Sequence, residues 1–195
     1  MSTIMLSAAG AVLSMTALVP ATAAPPEITT SAWMGAEAAH VGELEGFAGN
    51  AQLIGFFART TGSGDAAVTS FNCPEGTPPS WDPESGCEVL ETVGMYGYDL
   101  DVEISRNLSA GTLSGTVRVY EGETESGEPI FGQAYQLEVS MAGEGGIIKS
   151  HDKQEGSKHW SKERSATVVS GSLGAMDLTG AKGQLVHQQD RYSFN

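Results

Sequence analysis

The stretch Phe131-Gly-Gln-Ala-Tyr-Gln-Leu-Glu-Val-Ser-Met141 alternates between apolar and polar side chains. Phe131, Tyr135 and the odd-numbered residues up to Met141 share one parity, and Gln136, Glu138 and Ser140 share the other. Successive side chains of a β-strand point to opposite faces of the sheet, so this period of two predicts a strand with one buried face.

The same alternation extends to other parts of the chain. It predicts a strand over residues 96–106, with the apolar residues from Tyr96 to Ile104 on one face, and another over residues 112–121. The chain holds 25 glycines, and they separate short apolar alternations in the way that tight turns separate strands. Further strands are predicted at 51–60, 66–72, 88–95, 146–150, 165–170 and 184–194, and the best helical candidate is Ala36 to Leu44.

Nine or ten short strands with short connections predict an all-β fold. We expect an antiparallel meander closed as a small β-barrel, because closure removes the exposed edges that an open sheet carries. A two-sheet β-sandwich is the alternative.

The N-terminus has the features of a secretory leader. The first 24 residues carry no charged side chain, residues 4–19 are mostly apolar, and Ala21-Thr22-Ala23 offers the small residues that signal peptidase accepts. The sequence therefore predicts a signal peptide at 1–23, a flexible segment at 24–30 and a single β domain at 31–195. The expected location is outside the cytoplasm, either secreted or in the periplasm or cell envelope, and no transmembrane helix is predicted.

The two cysteines, Cys73 and Cys87, enclose a segment with four prolines and two glycines. An exported chain meets an oxidising compartment, so this even count predicts one disulfide that closes the loop 73–87.

The charge of the chain is uneven. The formal net charge is −14, which disfavours nucleic acid as a partner. Residues 149–164 nevertheless hold five of the ten basic residues and are net +2, so the rest of the chain carries −16. This basic hairpin includes Trp160, and Trp81 lies in the cysteine loop. The residues expected to contact a ligand, which we take to be an anionic cell-surface polymer, are Lys153, Lys158, Trp160, Lys162 and Trp81. A small apolar ligand held inside the barrel is the other partner considered.

Acidic and histidine residues suggest metal sites. Asp99, Asp101 and Glu103 share one face of a predicted strand, and oxygen ligands of this kind hold Ca²⁺, so these three residues are the Ca²⁺ candidates. His151 and His159 are spaced to lie on two arms of a hairpin and could ligate Zn²⁺. The commoner role of such residues is a solvated polar surface.

Two segments resemble uncharacterised exported bacterial all-β proteins. They are Ser109-Ala-Gly-Thr-Leu-Ser-Gly-Thr-Val117 and Arg164-Ser-Ala-Thr-Val-Val-Ser-Gly171, and the resemblance covers roughly residues 95–175. It implies an exported β-fold and no particular activity.

No catalytic residue is assigned, and the sequence favours a non-enzymatic protein over an enzyme. The predicted function is an exported binding or envelope-associated β-domain whose ligand is unknown. Two alternatives stay open: a small secreted hydrolase that uses a carboxylate pair, and an outer-membrane β-barrel.

Overall fold

A computed structural model describes residues 27–154 and 156–192, which form antiparallel β-strands joined by short loops. The strands are β1 (Glu27–Val41), β2 (Ala51–Arg59), β3 (Gly64–Asn72), β4 (Glu88–Gly97), β5 (Asp101–Ile104), β6 (Ala110–Glu123), β7 (Pro129–Gly143), β8 (Ile148–Gln154), β9 (Ser157–Leu173), β10 (Met176–Asp177) and β11 (Lys182–Tyr192). A short 3-10 turn spans Pro83–Ser85.

Eight of these strands form a closed ring. The order is β1, β2, β3, β4, β6, β7, β9 and β11, each hydrogen-bonded antiparallel to the next, and β11 pairs with β1. β5 adds to β6, while β8 and β10 add to β9. The ring confirms the predicted all-β class and the closed antiparallel meander.

Apolar side chains from all sides fill the ring. On β7 the odd residues Leu137, Val139 and Met141 are buried, as the alternation predicts, and Leu113 of the adjacent β6 is paired with Val139 on the same face. Full burial of one such side chain stabilises the fold by about 1.5–3 kcal/mol. The core therefore lies inside the ring.

The strand predicted over residues 96–106 is wrong as a single element. It is broken between β4 and β5, where the Leu100 N–H donates to the Gly62 carbonyl at 2.9 Å instead of extending the β4 ladder. The Leu100 side chain is buried where Cβ atoms on Gly64, Gly97 or Gly115 would approach it within 2.8 Å. The inward parity changes at this break, so Tyr96 and Tyr98 are exposed and do not share the inward face of Val102.

Two predictions for the N-terminal part of the chain are also wrong. The helical candidate Ala36 to Leu44 is wrong, because β1 runs to Val41 with ladder partners in both β2 and β11. Residues 27–30, assigned to a flexible segment, are also part of β1. The predicted signal peptide lies outside the described residues. Among the residues described, no helix has the length and apolar character needed to cross a membrane.

The disulfide Cys73–Cys87 is formed as predicted. Its loop lies at the end of β3, where the Asn50 side chain both donates to the Cys73 carbonyl and accepts from the Cys73 N–H, each at 2.8 Å. A bridge that closes a loop of this size stabilises the fold by about 3 kcal/mol. Within the loop, Trp81 packs edge-on against Phe71, with 5.2 Å between ring centroids.

Candidate functional site

Three ring strands continue past one end of the ring and form a smaller sheet together with β8. It consists of β1 over Glu27 to Ala32, β11 over His187 to Tyr192, β9 over Ser157 to Lys162 and β8 over Lys149 to Gln154. The register of β1 with β2 starts only at Trp33, and that of β9 with β7 starts only at Ala166. We call this extension the arm.

The strand register of the arm is regular. Its directly paired residues form six rows, and each row has one residue from each of the four strands. Paired residues point to the same face of a sheet, so alternate rows share a face. The ring row that contains Met34 and Leu185, both fully buried, fixes which face continues the ring interior. We call this the inward face, and it has three rows. The outer row holds Ile28, Arg191, Lys158 and Lys153, and the middle row holds Thr30, Gln189, Trp160 and His151. The inner row, nearest the ring, holds Ala32, His187, Lys162 and Lys149.

The two faces of the arm carry opposite charges. All five lysines and arginines of the arm lie in the inward rows, which contain no acidic residue. The three acidic residues of the described arm, Glu27, Asp152 and Asp190, lie in the outward rows, which contain no lysine or arginine. Half of the ten lysines and arginines of this acidic protein therefore lie on one side of one small sheet.

The inward cations are direct neighbours. Lys153, Lys158 and Arg191 stand in one row, and Lys149 and Lys162 are opposite each other in another. Like charges opposite each other across two strands destabilise the sheet. Pairing each lysine with an acid would avoid this cost, but no acidic residue occupies the inward rows.

The outward face contains a side-chain hydrogen bond that joins β9 to β11. His159 Nδ1–H donates to Asp190 Oδ1 at 2.5 Å, and Gln188 donates to the other carboxylate oxygen at 3.0 Å. The hydrogen bond from His159, followed by that from Gln188, lowers the pKa of Asp190 below its ordinary value. His151 lies on the inward face and His159 on the outward face, so the two imidazoles considered as Zn²⁺ ligands point to opposite sides of the sheet.

A cleft of about 250 Å³ opens beside the inward face. One side is the middle of the arm, and the other is formed by Arg106, which extends from the loop between β5 and β6. Trp160 also lines it, and the His151 imidazole stacks on part of one face of the Trp160 indole, with centroids 5.2 Å apart and planes 7° apart. The lining residues are Thr30, Arg106, Trp160, Ser161, Lys162, His187, Gln188 and Gln189.

The structure brings together four of the five ligand-contact residues named from the sequence. Lys153, Lys158, Trp160 and Lys162 share the inward face. Trp81 does not join them, because it packs on Phe71 in the disulfide loop. The sequence did not indicate Arg106, His187 and Arg191 as partners of this face, because they reach it from other strands and loops.

The Ca²⁺ candidates lie elsewhere. Asp101 and Glu103 are exposed on β5, and Asp99 is in the break before it. Within residues 27–154 and 156–192, no three His, Cys, Asp or Glu side chains are grouped closely enough to hold a metal ion.

No protein-family model, curated protein or solved structure matches this chain. The arm's own geometry and charge therefore provide the basis for a functional proposal.

Proposed function

We propose that this protein is an exported, non-enzymatic binding domain that attaches to an anionic polymer of the cell surface through the inward face of the arm. The observation that supports this most directly is the separation of charge between the two faces. Five lysines and arginines lie together in the three inward rows of the arm, and the acidic residues lie in the three outward rows.

A polymer suits this face better than a small ion does. The five cations are all exposed, and an exposed ion pair contributes at most about 1 kcal/mol. Several such contacts must form together to give useful affinity, and a chain with repeated negative charges can make them along the three inward rows.

The rest of the molecule would restrict how a polyanion approaches. The chain has a net charge of −14, although the arm's inward face is positive. A negative polymer is repelled by the acidic body and attracted by the arm, so the summed field favours one orientation. We place binding on the arm because apolar side chains fill the described interior of the ring.

Two observations support an extracytoplasmic location. The leader-like residues 1–23 are one, and the disulfide Cys73–Cys87 is the other, because disulfides persist in oxidising compartments. The disulfide also supports a cell-surface glycan over nucleic acid as the polyanion, since disulfides are typical of compartments outside the cytoplasm.

The test compares two variants with equal charge changes. The arm variant replaces Lys153, Lys158 and Lys162 with Gln, and the control variant replaces Arg59, Arg118 and Lys182, which lie outside the arm, with Gln. Co-sedimentation with purified cell-wall material and with polygalacturonate is measured at about 0.1 M and 1 M salt, where the Debye length falls from about 10 Å to 3 Å.

We expect the unmodified protein and the control variant to bind at low salt and be released at high salt. The arm variant should bind at least about tenfold more weakly, since each neutralised contact removes up to about 1 kcal/mol. Equal binding by the two variants, or no binding of the unmodified protein at low salt, would overturn the proposal.

A further inference from the structure

We infer that the cleft between the arm and the β5–β6 loop is a subsite for one sugar unit that carries a carboxylate or phosphate group. This inference rests on the proposed function and specifies which part of the polymer is recognised individually. The remaining inward cations would contact neighbouring units only through charge.

The loop between β5 and β6, which carries Arg106, is held in place by several hydrogen bonds. Ser105 Oγ accepts from the Ala110 N–H at 2.9 Å, and the Leu108 N–H donates to the Ser105 carbonyl at 2.8 Å. Leu108 is fully buried and anchors the loop in the core. A loop fixed in this way loses little conformational freedom when a ligand binds.

The arm is joined to this loop directly. His187 Nε2–H donates to the Ser105 carbonyl at 3.2 Å, a contact between residues 82 positions apart in the chain. The bond places the arm's inner row beside Arg106, the next residue of the loop. The two sides of the cleft are therefore fixed relative to each other.

The cleft can bind an anion at a defined point. Arg106 approaches from the loop, and Lys162 and His187 from the inner row of the arm. A guanidinium group can donate two parallel hydrogen bonds to a carboxylate or phosphate, and a lysine adds a point charge. No acidic residue lines the cleft among the described residues.

Trp160 provides the surface for the ring of the sugar. His151 stacks on part of one face of the indole, and Trp160 also lines the cleft, where the rest of its ring can contact a ligand. An aromatic face packs against the C–H groups of a pyranose, and Thr30 and Gln189 can hydrogen-bond its hydroxyls. The arrangement places an anionic group near Arg106 and a ring on Trp160.

The size of the cleft limits the ligand to one unit. Its volume of about 250 Å³ is below the roughly 300–1,000 Å³ of pockets for drug-sized ligands. Carboxylate and phosphate groups share the chemistry that these residues recognise, so both sources must be tested.

The experiment titrates the unmodified protein with glucuronate, glucose 6-phosphate, inorganic phosphate and uncharged methyl glucoside, using calorimetry and tryptophan fluorescence. The variants are Arg106→Gln, Trp160→Phe and, as a matched control outside the cleft, Arg118→Gln. A short single-stranded DNA is titrated at the same salt concentration.

We expect glucuronate or glucose 6-phosphate to bind more tightly than inorganic phosphate and methyl glucoside, and the stronger of the two identifies the anionic group. Arg106→Gln should weaken this binding about tenfold or more, as expected for loss of a charge-assisted hydrogen bond. Trp160→Phe should abolish the fluorescence change, and Arg118→Gln should change neither.

If neither anionic sugar binds while the polymer still binds through the arm lysines, the subsite is wrong and the proposed function stands. Equal binding of inorganic phosphate and the sugars would mean that the cleft does not recognise a sugar ring. Tighter binding of the DNA than of polygalacturonate, titrated under the same conditions, would overturn the glycan assignment. Absence of polymer binding by the unmodified protein would overturn the proposed function instead.

Discussion

The ring and the arm share three strands, β1, β9 and β11, but differ in the residues that occupy the same inward face. In the ring this face carries residues such as Met34 and Leu185, which are fully buried. A few positions farther along the same strands it carries Lys158, Lys162 and Arg191, which are exposed. The same strand geometry therefore supports a packed core in one region and a charged surface in the other.

The side chains of the ring and of the arm have opposite effects on stability. Burial of apolar area stabilises the ring, whereas the neighbouring lysines of the arm oppose folding through repulsion. Positions that break a local rule without an evident structural gain are often functional. The comparison predicts that substitutions on the two sides of the boundary have different, and in one case opposite, effects.

The largest contrast is expected along β11. Leu185→Ala removes a fully buried side chain and should lower the free energy of unfolding by about 2–5 kcal/mol through lost burial and a cavity. His187→Ala, two residues farther and on the same face, removes one hydrogen bond and should cost less than about 1.5 kcal/mol. Urea unfolding of both variants measures the difference, and similar losses would show that the core extends into the arm.

A smaller effect of opposite sign is expected for Lys158. It stands between Lys153 and Arg191, so Lys158→Glu replaces two repulsive neighbours with two attractive ones. The free energy of unfolding should rise by about 0.5–1 kcal/mol at low salt, while polymer binding falls.

Lys182→Glu is the control for that substitution, because it makes the same change in charge outside the arm. Lys182 Nζ lies 3.3 Å from Glu144 Oε2, so this variant should lose stability rather than gain it. Thermal unfolding at low and high salt measures both variants. Destabilisation by Lys158→Glu would show that the inward lysines do not repel one another.

The smallest expected effect is on the pH dependence of the unfolding free energy, through Asp190 on the outward face. The pKa of Asp190 is lowered in the folded protein by the hydrogen bonds from His159 and Gln188. A carboxyl group with a lowered folded pKa contributes stability above its unfolded pKa of about 3.9, and this contribution is lost as the pH falls through the folded pKa. Asp190→Asn should therefore cost stability at pH 5–6, by less than about 1 kcal/mol for a surface pair, with the cost shrinking towards pH 3.

Asp152→Asn is the matched control on the other side of His159, since Asp152 pairs with His159 across β8 and β9. Unfolding free energies measured from pH 6 to pH 3 should show the pH-dependent difference for Asp190 alone. The same pH profile for both variants would contradict the assignment of the hydrogen bond to Asp190.

Sequence alternation predicted the strands with one apolar face, such as β7, because their burial follows directly from a period of two. It did not predict β1 over Ala36 to Val41, whose small alanines carry a helical preference that pairing with two neighbouring strands overrides. It also missed the break at Leu100, because the glycines that make room for that side chain come from three separate strands.

Only the part of the candidate site that is continuous in sequence was predicted. Lys153, Lys158 and Lys162 are close in sequence, so their cluster was visible without a structure. Arg191 and Arg106 join them through strand register and loop placement, which sequence spacing does not reveal. The separation of charges between two faces also depends on the register of four strands, so only the structure shows it.

Lysine footprinting tests whether the inward face of the arm is the binding surface. The chain has five lysines: Lys149, Lys153, Lys158 and Lys162 lie in the inward rows, and Lys182 lies outside the arm. The protein is acetylated briefly with and without polygalacturonate or cell-wall polymer, and modification at each lysine is measured by mass spectrometry. We predict strong protection of the four inward lysines and unchanged modification of Lys182, whereas equal protection of all five, or protection of Lys182 alone, would contradict the account.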